Sequence, residues 1–216
     1  LCRPLMKVIA WNIAHQVKKR PIREYMVEVI QDLEADTVLF NEYVDEGIRE
    51  PFKEAMREAG YEWQAVSPTP AVHNQIFAAS RFPFTVGDLQ PPQFDGSAIS
   101  NFLHLKFDGF PVEMVGLRAP AYEKAADKHA YWAELAGIME SAKDRKFLFA
   151  GDVNYDPFKK AKQPDAETVP FHLCEDYVIP NPKGDWSYLA YSGNGFKIDH
   201  VMHTSTVEVT QVEYLD

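Results

Sequence analysis

Lys146-Phe-Leu-Phe-Ala-Gly-Asp-Val-Asn154 changes abruptly from apolar to polar side chains at Gly151. The apolar half is typical of a strand that is covered on both faces, and Gly151 permits a sharp exit or a close backbone approach. Asp152 and Asn154 are two residues apart, so they share one face of an extended chain. A carboxylate beside a carboxamide can hold a metal-bound water as a nucleophile. The four residues Gly151 to Asn154 also fit an Asx-type turn after a strand.

The composition is that of an ordinary soluble globular protein. A chain of 216 residues fits one domain, and its 46% hydrophobic and 25% charged residues are ordinary values for that class. Its apolar runs are all far shorter than the ~20 residues of a membrane span. The net charge of -10 argues against a surface that coats nucleic acid, since that affinity comes from Lys and Arg. A nucleic-acid substrate therefore stays possible but is not favoured.

The cysteine content and the first residues indicate a cytoplasmic protein. Cys2 and Cys174 are too few for a disulfide scaffold, which favours a reducing compartment. Leu1 to Met6 lacks the long apolar core of a secretory signal. We therefore expect cytoplasmic localisation, and we expect the protein to act as a monomer.

The N-terminal part repeats one pattern twice. Lys7 to Asn12 and Thr37 to Glu42 are apolar runs that stop at a polar residue, and Arg23 to Leu33 between them has the apolar spacing of a surface helix. Strand, helix and strand with polar residues at the strand ends predict a layered α/β domain with a site at those ends.

The remaining chain alternates between strand and helix patterns. We predict helices over 51–59 and 125–142, a loop over 87–96, and strands over 61–66, 75–80, 101–107, 112–117, 196–202 and 207–215. Lys197 and Asp199 are expected to share one face of the strand over 196–202.

Six polar residues lie at or near the end of an apolar run, which a random scatter would rarely produce. They are Asn12, Glu42, Arg118, Asp152, Asn154 and Asp199. The sequence therefore predicts that these side chains converge on one cleft.

Short motifs follow one another along nearly the whole chain. They are Trp11-Asn12, Asn41-Glu42, Asn74 with Ser80 to Pro83, Gly151 to Asn154, Asp185-Trp186 and Lys197-Ile-Asp-His200. In the order and spacing of these motifs, the chain resembles the endonuclease/exonuclease/phosphatase superfamily. The resemblance implies a DNase I-like, four-layer α/β/β/α sandwich formed by a single domain over residues 1–216. It also implies one divalent-metal site at the rim.

The resemblance assigns a role to each of these positions. It implies that Glu42, with Asn12 beside it, binds Mg²⁺ or Mn²⁺, and that Asp152 and Asn154 position and activate the attacking water. Arg118 would face the phosphate, with a surface ion pair as the alternative. It further implies that Asp199 orients a catalytic histidine, and that the substrate contacts Asn74, Trp186 and Lys197.

Two departures from the family pattern bear on the site. Ala14 stands where the family often has an acidic residue, and the family's terminal Ser-Asp-His-like strand is expected to be missing, because the sequence ends at Asp216. His200 neighbours Asp199 and should face the opposite side, so we expect it to be structural.

These features predict a Mg²⁺-dependent hydrolase of phosphate esters, most simply a phosphodiesterase that uses in-line attack of a metal-activated water. Two alternatives remain open at this point. One is a nuclease acting on DNA or RNA, and the other is a catalytically weak module of the same fold that binds phosphate.

Overall fold

The structure is a computed structural model, and it describes residues 5–14, 21–23, 25–68, 74–94, 97–98, 101–121, 125–158 and 176–215. The helices in this part of the chain are α1 Tyr25–Asp32, α2 Glu50–Glu58 and α3 Ala125–Ala142, with a 3-10 turn Gly47–Arg49 before α2. The strands are β1 Val8–Asn12, β2 Thr37–Tyr43, β3 Trp63–Val66, β4 Gln75–Ser80, β5 Phe84–Val86, β6 Gln93–Phe94, β7 Ser97–Ala98, β8 Phe102–Phe107, β9 Glu113–Arg118, β10 Phe147–Asp152, β11 Tyr177–Val178, β12 Tyr188–Leu189, β13 Gly195–Phe196 and β14 Asp199–Thr204.

The strands form two main sheets. One has the order β1-β2-β4-β3, and the other has the order β11-β14-β10-β9-β8-β5. The β1/β2 and β9/β10 pairs are parallel, and the other pairs within these sheets are antiparallel. Of the described helices, none is long and apolar enough to cross a membrane.

Three hydrophobic clusters define the layers. The two sheets pack face to face through side chains such as Leu39 and Ile76 on one sheet and Leu103 and Ala150 on the other. Helices α1 and α2 cover the outer face of the first sheet, and α3 covers the outer face of the second. The predicted four-layer α/β/β/α sandwich is therefore confirmed.

Gly151 is required where β10 passes β9. Its φ of 143° lies in the region that favours glycine. A Cβ at this position would collide with the carbonyl oxygen of Leu117 and would lie 3.0 Å from Asn41 Nδ2. The close backbone approach that the sequence suggested is thus an approach to β9, and it brings the end of β10 level with the end of β9.

Two predicted elements differ from the structure. The predicted loop over 87–96 contains β6, which pairs with β7. The predicted strand over 207–215 is wrong, because this segment forms only a single bridge between Lys183 and Glu213. Strand β14 pairs with β10 along one side, and β11 pairs with His203 and Thr204 on the other side. The segment instead places Tyr214 against β14, where its hydroxyl donates a hydrogen bond to the Asp199 carbonyl at 2.9 Å.

Candidate active site

Three neighbouring strands of the second sheet bring three charged side chains side by side. In register, Asp152 at the end of β10 pairs with Arg118 on β9 and with Asp199 on β14. Directly paired residues project from the same face of a sheet. That face points toward the first sheet, because Ala150, two residues before Asp152, packs between the sheets.

The first sheet supplies Asn12 and Glu42 from the ends of β1 and β2. The pairing of β2 with β4 shifts between Phe40 and Tyr43, and Glu42 has a φ of 56°. A bulge of this kind re-aims a side chain. The Asn12 Nδ2 atom donates to Asp152 Oδ2 at 2.9 Å and lies 3.4 Å from Glu42 Oε1. The two carboxylates therefore share one amide group across the gap between the sheets.

Arg118 pairs with Glu42 inside this cluster rather than on the surface. Its Nη2 lies 2.9 Å from Glu42 Oε1, and its Nε lies 3.7 Å from Asp152 Oδ2. The side chains of Arg118 and Glu42 are only 13% and 9% exposed. The guanidinium thus neutralises part of the negative charge that the strand ends bring together.

Asn154 orients Asp152 through its backbone. Its N–H donates to Asp152 Oδ1 at 2.9 Å, which is the Asx-turn contact, and its φ is 49°. Its Nδ2 donates to the carbonyl of Ala119 at 2.7 Å. The Asx turn that the Gly-Asp-Val-Asn stretch also fits is therefore present, and it holds the Asp152 carboxylate in place.

Burial shifts the pKa of both aspartates in the second sheet upward. Burial, followed by the charge of Asp152, raises the pKa of Asp199 to about 7, while contacts with Ser187 and Arg118 act in the opposite direction. Burial also raises the pKa of Asp152, against the opposing effects of Arg118, the Asn154 N–H and Asn12. Two adjacent carboxylates in a poorly solvated site resist simultaneous ionisation.

This shift predicts a pH-dependent stability. The pKa of Asp199 is raised from 3.8 to about 7 on folding, so its contribution to stability is full below pH 3.8 and is lost as pH rises through 7. In EDTA, we expect the free energy of unfolding of the wild type to fall over that window. In Asp199→Asn the fall should be much smaller. Urea unfolding at several pH values measures it.

Glu208→Gln removes an exposed carboxylate and is the control for this experiment. It should keep the wild-type slope. An equal slope in Asp199→Asn and the wild type would contradict a raised pKa at Asp199.

The three expected substrate-binding residues lie at different places. Asn74 precedes β4, whose first residue pairs with Tyr43, so it lies at the same end of the strands as Glu42. Trp186 is 42% exposed and stands next to Gly195, where a Cβ would lie 2.7 Å from the Trp186 Cβ. Asn74 is therefore placed at the strand ends of the carboxylate cluster, and Trp186 directly precedes Ser187, whose Oγ accepts from the Asp199 N–H.

Lys197 is turned away from the cluster. The prediction that Lys197 and Asp199 share a strand face is wrong, because β14 begins only at Asp199. The Lys197 Nζ donates to Asn181 Oδ1 at 3.1 Å and to the Pro182 carbonyl at 3.0 Å. Lys197 borders a neighbouring cavity of about 320 Å³, which is also lined by Asp156, Phe158, Asn181, Asp185 and Gly195.

His200 lies on the other face of β14 from Asp199, as strand alternation predicts. Its Nε2 donates to the Lys197 carbonyl at 2.7 Å, and its ring packs 5.6 Å from that of Phe158. Burial lowers the pKa of His200. Within the described part of the chain, no histidine hydrogen-bonds the Asp199 carboxylate.

Three further residues at the site had no role in the sequence-based prediction. Asn41 is fully buried, and neither of its amide atoms has a hydrogen-bond partner among the described residues. The Tyr131 hydroxyl is also buried without such a partner, and Ser187 Oγ accepts from the Asp199 N–H at 3.1 Å. Asn41 could have been identified from the sequence, because its carboxamide stands inside the apolar run of β2. Tyr131 had no such signal, because it looks like one more apolar residue of α3.

The donor set fits a hard divalent cation at Glu42. Magnesium is bound by one or two carboxylates and other oxygen ligands, and the Asn41 amide and the Tyr131 hydroxyl lie near the cluster, buried and without a hydrogen-bond partner among the described residues. Asn12 fits less directly, because its Oδ1 accepts the Ala14 N–H at 2.8 Å while its Nδ2 faces the carboxylates. Glu42 is therefore the residue best placed to hold the cation.

A second acidic cluster, formed by Asp88, His104 and Glu113, has ligand atoms within 4.8 Å of one another. Lys106 Nζ lies 2.7 Å from Asp88, and Arg145 Nε donates to Glu113 at 2.9 Å. Both nitrogens of the His104 ring are also engaged, by Glu113 and by the Leu89 N–H. This cluster therefore already carries its counter-charges, at the opposite end of β9 from Arg118.

The sandwich fold and the carboxylates at the strand ends are those of a metal-dependent phosphoester hydrolase. The model of the Endonuclease/Exonuclease/phosphatase family matches residues 9–216. The chain belongs to this family, whose members are phosphoester hydrolases that depend on divalent metals. Comparison with curated protein sequences gives no match.

Solved structures with the same fold are similar over most of their length. An AP endonuclease from Archaeoglobus fulgidus has a TM-score of 0.70 at 15% identity, covering 93% of this chain and 87% of that one. The Neisseria 3′ phosphatase NExo, bound to a product DNA hairpin, gives the same four values. A hairpin-deletion mutant of beta toxin from Staphylococcus aureus has a TM-score of 0.68 at 14% identity, covering 98% and 92%. At these identities the likeness shows the fold alone.

Proposed function

We propose that the protein is a Mg²⁺-dependent phosphodiesterase in which a water attacks phosphorus in line with the leaving group. The observation that carries this proposal is the Asp152 carboxylate. Asn12, the Asn154 N–H and Arg118 hold it beside Glu42, at the meeting point of the two sheets. A buried, oriented carboxylate next to a hard-cation site suits proton abstraction from a water.

Glu42 would hold the cation in this mechanism, with Asn12 beside it. When bound, Mg²⁺ would polarise a phosphate oxygen and offset the charge that develops during displacement. Mn²⁺, with similar oxygen preferences, is the substitute that we expect to support activity.

Asp152 is the proposed general base, and burial raises the pKa of its carboxyl group, which makes it a stronger proton acceptor. Asn154 keeps the carboxylate oriented, and the charge of Glu42 adds to burial in raising the pKa of Asp152. Arg118 can present two N–H groups to phosphate oxygens, as guanidinium groups commonly do. Asn74, at the same edge as Glu42, is proposed to contact the substrate.

A small phosphodiester is the preferred substrate because the net charge is -10. Cleavage of DNA or RNA is the second candidate, and the observation that favours it is the exposure of three aromatic rings, Trp186, Tyr188 and Tyr191. Bases of single strands stack on rings of this kind. We propose that Trp186 contributes in that way and that Lys197 lines the adjoining cavity.

A panel of substrates tests the proposal. We expect bis-p-nitrophenyl phosphate to be hydrolysed with Mg²⁺ or Mn²⁺ and not in EDTA, and faster than p-nitrophenyl phosphate. Faster cleavage of a single-stranded oligonucleotide would favour the nuclease. Binding of inorganic phosphate without turnover of any substrate would identify a binding module and contradict the proposal.

A further inference from the structure

The oxygen that we assign to the cation already contacts a positive group of the protein. Arg118 Nη2 lies 2.9 Å from Glu42 Oε1, and the same oxygen faces Asn12 Nδ2 at 3.4 Å. Both members of the ion pair are largely buried. Solvent therefore screens the pair little, and its presence bears directly on how a divalent cation can bind.

The guanidinium and a divalent cation compete for this oxygen. Magnesium binds oxygen ligands at about 2.0–2.1 Å and demands near-octahedral geometry. The guanidinium already uses one lone pair of this oxygen, and two cations at one carboxylate oxygen repel each other. We therefore expect a cation that binds at Glu42 Oε1 to weaken its contact with Arg118.

One donor of Arg118 is left unsatisfied by the described part of the protein. Its Nε is buried and has no hydrogen-bond partner among the described residues, since Asp152 Oδ2 is 3.7 Å away. A buried donor without a partner is costly. A phosphate group offers two oxygens that fit the Nε and Nη2 fork of a guanidinium.

We propose that Arg118 and the divalent cation exchange places at Glu42 Oε1. In the metal-free protein Arg118 neutralises Glu42 and Asp152. The arriving cation takes over that role and frees the guanidinium for the substrate phosphate. This inference rests on the proposed cation site at Glu42. If the exchange occurs, Arg118 weakens the binding of the cation when no substrate is present. The bound cation in turn strengthens the binding of phosphate, as thermodynamic linkage requires.

The alternative is a permanent ion pair that only supports the site. In that case, removing the guanidinium loosens Glu42 and weakens cation binding. The exchange predicts that removing the guanidinium strengthens cation binding, because the substitution removes a competitor for Glu42. The sign of the change in cation affinity therefore separates the two.

The test compares Arg118→Gln with Arg145→Gln in the metal-stripped full chain, with Mn²⁺ as the probe and electron paramagnetic resonance as the measurement. Arg145 is the matched control because it pairs with Glu113 at the other end of β9. Arg118→Gln should bind Mn²⁺ roughly 10- to 100-fold more tightly than the wild type, which corresponds to losing one charge-assisted hydrogen bond. Arg145→Gln should keep the wild-type affinity.

Thermal unfolding and phosphate binding supply independent readouts. In EDTA, Arg118→Gln should melt roughly 5–20 °C below the wild type, because it leaves two buried carboxylates without a cation. Saturating Mg²⁺ should raise the melting temperature of Arg118→Gln by more than it raises that of the wild type. Calorimetry with inorganic phosphate should show tighter binding to the Mg²⁺-loaded wild type than to the metal-free protein, and little binding to Arg118→Gln.

Each outcome decides the proposal. Equal or weaker Mn²⁺ affinity in Arg118→Gln, with wild-type binding intact, overturns the exchange and leaves the proposed function standing. A gain that disappears in 1 M KCl, where the Debye length is about 3 Å, indicates only a distant charge effect and also overturns it. Absence of Mn²⁺ binding in every variant contradicts the proposed function as well. Should Arg118→Gln not fold, Arg118→Lys keeps the charge, and its Mn²⁺ affinity should still exceed that of the wild type.

Discussion

Asp152→Asn should lower the turnover of an activated phosphodiester by roughly 10²–10⁴-fold, the usual contribution of a general base. The substitution keeps the size of the side chain and removes its ability to take a proton. The hydrogen bond from the Asn154 N–H to Oδ1 can persist on the amide oxygen. We therefore expect substrate affinity to change little. Steady-state kinetics with saturating Mg²⁺ or Mn²⁺ measures both quantities.

Glu208→Gln, an exposed substitution, is the control for this experiment and should keep wild-type turnover. Circular dichroism should show that Asp152→Asn retains the fold. Wild-type turnover in Asp152→Asn would rule out Asp152 as the base, and the attacking water would then need another proton acceptor.

Glu42→Gln should weaken Mn²⁺ binding by at least roughly 100-fold, because it removes the negative charge that holds a hard cation. The loss of Mn²⁺ affinity should exceed the contribution of a single neutral hydrogen bond. Glutamine keeps an oxygen at this position, so the loss reflects the missing charge. Turnover should fall with it at any fixed Mn²⁺ concentration below saturation. Titration calorimetry or electron paramagnetic resonance measures the affinity.

Glu113→Gln is the matched control for Glu42→Gln. Glu113 belongs to the second acidic cluster, with Asp88 and His104, where lysine and arginine already supply positive charge. This variant should bind Mn²⁺ as the wild type does. If Glu113→Gln loses the ion and Glu42→Gln keeps it, the cation site lies at the opposite end of β9 from the one proposed.

Most of the fold was readable from local patterns. The apolar runs that became β1, β2, β4 and β10 are each followed by a turn or by polar residues, and the helices α1, α2 and α3 have clear bounds in the sequence. The strand predicted over 207–215 shows the limit of local patterns. The segment alternates like a strand, but alternation does not supply a partner strand, and in the structure the segment forms only the bridge between Lys183 and Glu213.

The candidate site divides in the same way. The sequence by itself determined which polar residues end the strands, because an apolar run that stops at Asn12, Glu42 or Asp152 is a local feature of the chain. Only the tertiary structure decided that Arg118 pairs with Glu42 and that Lys197 turns toward Asn181. Partners of this kind are far apart in the chain, and the contacts between them depend on strand register, on the bulge in β2 and on the spacing of the two sheets. None of these three quantities is encoded in any single stretch of residues.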